Sequence, residues 1–430
     1  MATNLSGPGT TVVPFGIEAT PGGPILRWNE RATSVAEIDR ELGRIWASPR
    51  AAAARDPGGE RTIAARTSVL NLAVVARSPE LGELAAATLA AGTGRHPSRT
   101  LILVPTDPDG PGWLRADVKA YCMVPRSGAA ETCAEQVYVT AGGDTGRHLE
   151  AIVAPLLIHD LPVTVWWPGD PPFGADLAKA LVGTADRLVV DGSRWTGDGL
   201  SRLVAMAGLA RPSLPISDFA LMRQARWREA VASVFDRAAF QPYLRSIRRI
   251  AVTYATRGGA NVDAATNIVK PIYHVAWLAS RLDMRVATPL ERVGRPGRAS
   301  GATAAGPGAP VDPGRGLRAL LAWDRGAHVD VVIRPVVSAM PGGTTLRVEL
   351  LAERRGSELR AEVTAEADSV HVRVWEEGVE ALDRVFHAAR RTDADLLTEA
   401  IEAGGRDPVA EGTLAMAARL AGAPPAGAGA

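Results

Sequence analysis

Lysine is nearly missing from this 430-residue chain: three of its 48 basic residues, Lys119, Lys179 and Lys270, are lysines, and arginine makes up the other 45. With abundant Ala, Gly and Pro, that skew fits the codon usage of a GC-rich genome and carries no mechanism. Charge of one sign is missing too. Against 48 basic residues stand 47 acidic ones, so no basic excess displaces counterions from phosphate, and no nucleic-acid partner is expected. Cysteine occurs only as Cys122 and Cys133, which excludes a disulfide framework and makes the cytoplasm the expected address. Long apolar runs are absent: the best candidate, Ala151 to Trp167, is cut by Pro155, His159, Asp160 and Pro162, short of the ~20 residues a membrane helix needs. No membrane partner is expected. Met1 to Thr20 is rich in Gly, Thr and Pro and lacks the pattern of a signal peptide.

What is present is an ordinary globular composition, 46% hydrophobic and 22% charged, in a chain long enough for two globular units. Residues 1 to 30, punctuated by Gly and Pro, read as a mobile arm. Ser34 and Glu37 make a capping box for a helix carrying Val35, Ile38, Leu42, Ile45 and Trp46 at helical spacing. Ala51 to Gly59 reads as a linker. Thr67 to Ala76 is an apolar strand, Ser78-Pro79 opens a helix, and Arg99 to Pro105 is a second strand, predicted parallel and adjacent to the first. Period-two alternation over Leu114 to Val124 and Thr132 to Thr140 predicts a hairpin around Pro125 to Ala130. A helix over 146 to 159, strands over 162 to 167 and 186 to 190, and flanking helices complete the first unit near Pro212.

The second unit opens with a long helix over 218 to 235. A strand over 246 to 255, a helix over 271 to 282 and a short strand over 284 to 287 follow. Residues 294 to 316 form a low-complexity Gly/Ala/Pro/Arg stretch, read as a flexible loop. Alternating strands around Val329 to Ile333, Leu346 to Leu350, Leu359 to Val363 and Val370 to Val374 predict an antiparallel meander with one dry face, which helices over 393 to 403 and 407 to 421 are positioned to cover. The fold class is therefore α/β, mixed with α+β: an N-terminal arm and helix over 1 to 60, a mixed α/β domain over 61 to 212, and a C-terminal α/β domain over 213 to 425 interrupted by a loop over 292 to 316.

Catalytic motifs do not assemble. Gly92 to Pro97 and Gly314 to Ala319 match the dinucleotide glycine pattern only loosely and in the wrong setting. Gly169 to Gly174 has the spacing of a phosphate loop without its lysine. No nucleophile elbow, metal-spaced His/Cys pair or assignable acid/base pair occurs. No catalytic residue, cofactor or metal site is nominated, and a conventional enzyme is disfavoured. Two features stand out. Trp166 and Trp167, ending an apolar strand before a Pro/Gly loop, are candidate aromatic anchors for a partner, or else straddle the sheet and pack beneath helices on both faces. If the hairpin turns between residues 127 and 128, Cys122 and Cys133 lie opposite each other on the apolar face, either as a redox pair or as two inert buried thiols.

Taken together, His96-Pro97-Ser98-Arg99 entering a strand, the Pro155 to Pro172 segment with Trp166-Trp167-Pro168-Gly169 at its centre, Asp186 to Trp195, Trp227-Arg228-Glu229 before Phe235-Asp236, and Trp277 to Leu282 resemble the glucose-6-phosphate dehydrogenase assembly protein family, OpcA. The resemblance covers residues 34 to 290 and, more loosely, the meander. It departs at Arg257 to Lys270 and in the insertion after Gly294. It implies a non-catalytic partner that binds oligomeric glucose-6-phosphate dehydrogenase and promotes its assembly and activity in the oxidative pentose phosphate pathway, in a family also associated with redox control. On that reading the contact residues are Trp166, Trp167, Gly169, Asp170 and Phe173, with Arg223, Trp227 and Arg228 second. The alternative is a sugar-phosphate-binding protein or enzyme of the same pathway, for which the many arginines suit bidentate phosphate contacts.

Overall fold

The computed structural model describes residues 25–47, 54–55, 61–62, 65–66, 68–92, 95–107, 109–123, 132–172, 176–257, 266–293, 316–324, 326–366 and 368–424. Two large sheets organise them. The strands of the first are β1 (Ile25–Ala32), β2 (Leu70–Val75), β3 (Ser98–Pro105), β4 (Trp113–Met123), β5 (Thr132–Gly142), β6 (Val163–Trp167), β7 (Arg187–Val190) and β8 (Ile216–Asp218). Their order is β1-β4-β5-β3-β2-β6-β7-β8, with the two-residue Ala65–Arg66 beside the start of β5. Neighbours from β5 to β8 run parallel, while β4 is antiparallel to both β1 and β5. Strands β2, β3 and β6 are buried on both faces, which is why they read as continuous apolar runs rather than alternating ones.

The helices are α1 (Val35–Ala47), α2 (Pro79–Ala91), α3 (Asp176–Gly183), α4 (Leu200–Leu209), α5 (Ala225–Phe235), α6 (Val269–Arg281), α7 (Asp393–Glu402) and α8 (Pro408–Leu420), with shorter turns between them. On one face of the first sheet Ala73, Val75, Leu101, Leu103, Val165 and Trp167 pack with α1 and α4. On the other, Leu72, Val74, Ile102, Val104 and Trp166 pack with Ala85 of α2 and with Leu396, Leu397 and Ala400 of α7. Helix α2 lies close because residue 82 is glycine. A Cβ there would stand 2.5 Å from the Tyr138 hydroxyl and 2.7 Å from a Val104 methyl.

The second sheet is built from β9 (Ile247–Thr256), β10 (Arg285–Val293), β11 (Gly316–Ala322), β12 (His328–Val337), β13 (Thr345–Arg354), β14 (Ser357–Ala365), β15 (Ser369–Glu376) and β16 (Val379–His387). The order is β10-β11-β12-β9-β13-β14-β15-β16, antiparallel throughout except for β9 beside β12. Its inner face, including Ile250, Val348, Ala361 and Val372, belongs to the same core as α5 and α6. Its outer face carries an arginine–glutamate lattice. Glu362, 7% exposed at its side chain, receives Arg347, Arg360 and Arg373, and both of the last two guanidinium groups also lie over the Trp375 ring.

Several expectations are corrected. The N-terminal arm is structured from Ile25, where β1 hydrogen-bonds along β4; residues 1–24 lie outside the described residues. Of the linker over 51 to 59, only Ala54–Arg55 is described, paired with Arg61–Thr62. The helix over 146 to 159 is instead two short helices, Gly143–Arg147 and Leu149–Val153, because His148 leaves helical geometry (φ −117, ψ 55). The first sheet does not stop at Pro212: β8 adds an edge strand. The long helix over 218 to 235 breaks at Gln224 (φ −91, ψ 6) into Phe219–Met222 and α5. Strand β10 is longer than expected and pairs with β11, so residues 292, 293 and 316 belong to strands; residues 294–315 and the hairpin turn over 125–130 lie outside the described residues. Helix α7 covers the first sheet, not the meander, because its apolar stripe matches the face bearing Trp166. Helix α8 instead packs on α6, α4 and β10.

Candidate functional site

Chain order along the first sheet reverses around β2: β3 lies on one side and β6 on the other. In an open parallel sheet, the carboxyl ends of strands flanking such a switch form the crevice where ligands bind. Here the turn into α2 reads Ala76-Arg77-Ser78-Pro79, with the Ser78 hydroxyl accepting from the Leu81 amide at 3.3 Å. Positions 77, 79 and 82 stand at the spacing of the dinucleotide glycines, yet only the helix-packing position is glycine. Arg77 and Pro79 occupy the places where bare backbone approaches a pyrophosphate.

The next three strand ends each carry an aspartate held by the chain itself. Asp170, after β6, accepts from the Thr196 amide at 2.9 Å and hydroxyl at 2.7 Å, and pairs with Arg202 at 2.7 Å. Asp191, after β7, accepts from Ser193, Arg194 and Arg223. Burial pushes its carboxyl upward, but the facing Arg223 guanidinium overcomes that and holds it below the usual aspartate range. Asp218, ending β8, has no ion-pair partner among the described residues. It accepts from the Gly192 amide at 2.9 Å, the Ala220 amide at 2.7 Å and the Tyr273 hydroxyl at 2.6 Å. Burial dominates over those donors and lifts its carboxyl to about 6.

Arg223 ties this edge to the rest of the molecule. Standing where the 218 to 235 helix breaks, it reaches Asp191 at 2.8 Å and Asp393, at the start of α7, at 2.6 Å; Arg194 also reaches Asp393, at 2.7 Å. Asn267 donates to the Gly192 and Trp195 carbonyls at 2.8 and 2.9 Å. Gly343 (φ +78) passes so close to the Asn267 carbonyl that no side chain fits.

Beyond Arg223 opens a cleft of about 680 Å³, enclosed by the start of α5, the first turns of α6, the Met340–Thr345 segment and Ala388–Arg391. Trp227 lines it and packs on His274, ring centroids 5.0 Å apart. Burial drives the His274 imidazole down to about 3, with Arg228 and Lys270 acting in the same direction, so the ring is neutral near pH 7. Burial likewise lowers Lys270, with Arg223 beside it. Among the described residues, no group of three or more His, Cys, Asp or Glu could hold a metal ion.

The nominated residues therefore scatter. Trp166 and Trp167 are 1% and 0% exposed, on opposite faces of the first sheet. They straddle the sheet and present no ring to a partner, because a central strand covered on both faces buries successive side chains alternately. Gly169 is buried against Leu81, and Asp170 is consumed by Thr196 and Arg202. Phe173 lies outside the described residues. Arg223 and Trp227 do reach one place, the cleft. Arg228 is near enough to act on His274 but does not line the cleft, donating instead to the Leu221 carbonyl. Cys122 and Cys133 are opposed in register and joined by a disulfide on the buried face. Lys270, His274 and Asp218 were missed: each is a lone polar residue in an apolar stretch, and only the two sheets together bring them to one edge.

Fold and site define a two-sheet α/β protein whose parallel-sheet crevice is occupied by its own ion pairs, with a basic cleft beside it. Family models described as the glucose-6-phosphate dehydrogenase subunit N-terminal and C-terminal domains match residues 90–207 and 214–414. The chain belongs to the OpcA family of glucose-6-phosphate dehydrogenase assembly proteins. Two relatives carry the provisional name OxPP cycle protein OpcA. The protein from Nostoc punctiforme is 30% identical over 193 residues, 44% of this chain and 38% of that protein. The one from Synechocystis sp. is 28% identical over 222 residues, 51% of this chain and 43% of that protein. The chain thus spans about two fifths of the length of these relatives. Among solved structures it is similar to an NAD-binding oxidoreductase from Klebsiella pneumoniae (11% identity, TM-score 0.42, covering 82% of this chain and 94% of that one). A scyllo-inositol dehydrogenase from Lactobacillus casei is similar too (9% identity, TM-score 0.39, 83% and 96%).

Proposed function

We propose that this protein is a non-catalytic partner of glucose-6-phosphate dehydrogenase that promotes the enzyme's assembly and activity in the oxidative pentose phosphate pathway. The observation that carries the reading is the match of both dehydrogenase-subunit domain models, in order, along one chain. The crevice geometry supports it, since the turn where a dinucleotide would approach holds Arg77 and Pro79, and Asp191 and Asp218 serve internal contacts. The action is linkage. A protein that binds the active or assembled dehydrogenase better than the inactive form shifts the population by that difference in affinity and performs no chemistry itself.

Of the surfaces available, the outer face of the second sheet suits a protein partner best. Aromatic and arginine side chains dominate binding hot spots, and Trp375 stands there between Arg360 and Arg373. The test is steady-state activity of the organism's own dehydrogenase with and without this protein, alongside light scattering of the mixture. A new complex with raised activity is expected, weakened at least tenfold by Trp375→Ala with Arg360→Glu. With both proteins folded, no complex and no activation would reject the reading.

A further inference from the structure

The cleft beside Arg223 has an uneven charge account. Three of its five cations are engaged: Arg223 by Asp191 and Asp393, Arg226 by Glu229 at 2.6 Å, and Arg391 by Glu399. The carboxylate of Glu366, on the same wall, is engaged by Ser369 and His371. Lys270 and Arg390 have no ion-pair partner among the described residues, and they lie close enough for Arg390 to help depress the Lys270 ammonium. Asp191, shared with Arg223 and Arg194, offsets part of the charge on Lys270, and the converging cations left in excess repel each other, a repulsion that a bound anion relieves.

Three residues of the cleft's lining also carry a buried polar atom without a hydrogen-bond partner among the described residues: Gln224 Oε1, His274 Nε2 and Thr345 Oγ1. Their residues are 4%, 2% and 6% exposed, a setting in which polar groups are ordinarily satisfied. Gln224 is oriented by its own donation to the Lys270 carbonyl at 2.8 Å, and its Oε1 is an acceptor without a donor among the described residues. His274 is neutral and, like Thr345, either donates or accepts. Water could satisfy these three atoms but would not neutralise the two cations. A ligand with an anionic head and several hydroxyls does both, and the volume suits a small molecule.

We propose that this cleft binds a small phosphorylated sugar or polyol, with its phosphate on Lys270 and Arg390 and its hydroxyls on Gln224, His274 and Thr345. The site stands whether or not the chain acts on a dehydrogenase, since it rests only on this chain's side chains. Isothermal titration calorimetry of the full chain with glucose 6-phosphate, 6-phosphogluconate, ribose 5-phosphate, glucose and inorganic phosphate tests it. At least one ester is expected to saturate with Kd below about 1 mM, inorganic phosphate to bind more weakly and glucose not at all. Lys270→Met and Arg390→Ala should each weaken the ester tenfold or more. Thr345→Val should weaken the ester and leave phosphate unchanged. Arg390 is exposed on a connecting segment, so its variant keeps the test valid if Lys270→Met unfolds. Saturation by none of the esters, or ester affinity unchanged in a folded Arg390→Ala variant, would overturn the proposal. So would loss of dehydrogenase binding in these variants without any ester binding, which would assign the cleft to an acidic protein segment.

Discussion

Arg99 is buried at the start of β3 and donates from Nε to Glu135 at 2.5 Å and from Nη1 to the Leu156 carbonyl at 2.8 Å, while the Trp46 indole donates to the other oxygen of Glu135. Both charges are out of water, 8% and 0% exposed, so removing one leaves the other uncompensated. Arg99→Met is expected to cost about 3–5 kcal/mol in urea unfolding, and the double change with Glu135→Met to recover most of it. Asp218 makes a pH prediction. Its carboxyl sits near 6 in the fold against 3.8 ordinarily, so between about pH 4 and 6 the native state keeps a proton that the unfolded chain has lost. Stability therefore falls as pH rises through that window, by up to ~3 kcal/mol. Denaturant midpoints of wild type and Asp218→Asn, measured from pH 4 to 7, should diverge by this fall. His274 acts in the opposite sense: held near 3 against 6.5, it costs stability as pH drops below 6.5. Comparison of wild type with Asp218→Asn therefore isolates the aspartate.

At the scale of elements, α2 depends on a close approach at Gly82, and α7 on ion pairs and an apolar face. Gly82→Val drives a branched side chain into Tyr138 and Val104 and should cost about 1–3 kcal/mol, read as a lower Tm. The β4–β5 hairpin is closed by the Cys122–Cys133 bridge across a separation of 11 residues. By the loop-entropy account, removing it with a Cys122→Ala, Cys133→Ala double variant should cost about 2–3 kcal/mol. Helix α7 is fastened by Asp393 to Arg223 and Arg194. In Arg223→Met, amide exchange should rise across 393–402 while the central strands β2 and β6 keep their protection. Unchanged exchange in α7 would show that its apolar face on Trp166 and its remaining ion pairs, with Arg194, Arg95 and His96, hold it without Arg223.

At the scale of the whole molecule, the sequence by itself determined the identity and direction of most strands, the cap at Ser78, the opposition of Cys122 to Cys133 and the family. Each of these depends on near neighbours: period-two alternation, apolar runs bounded by Pro and Gly, and motifs contiguous in the chain. It also left Trp166 and Trp167 open between core and surface, since a strand reads the same whether its end is covered or bare. Tertiary structure decided that question by laying α7, more than 220 residues away, over Trp166. It decided too that the 218 to 235 helix breaks, because Arg223 gains two carboxylates from distant segments there. The cleft was illegible for the same reason. Lys270, His274, Thr345 and Arg390 are separated by up to 120 positions, and no local pattern marks side chains whose charge and hydrogen bonds are left unbalanced only after both sheets have packed.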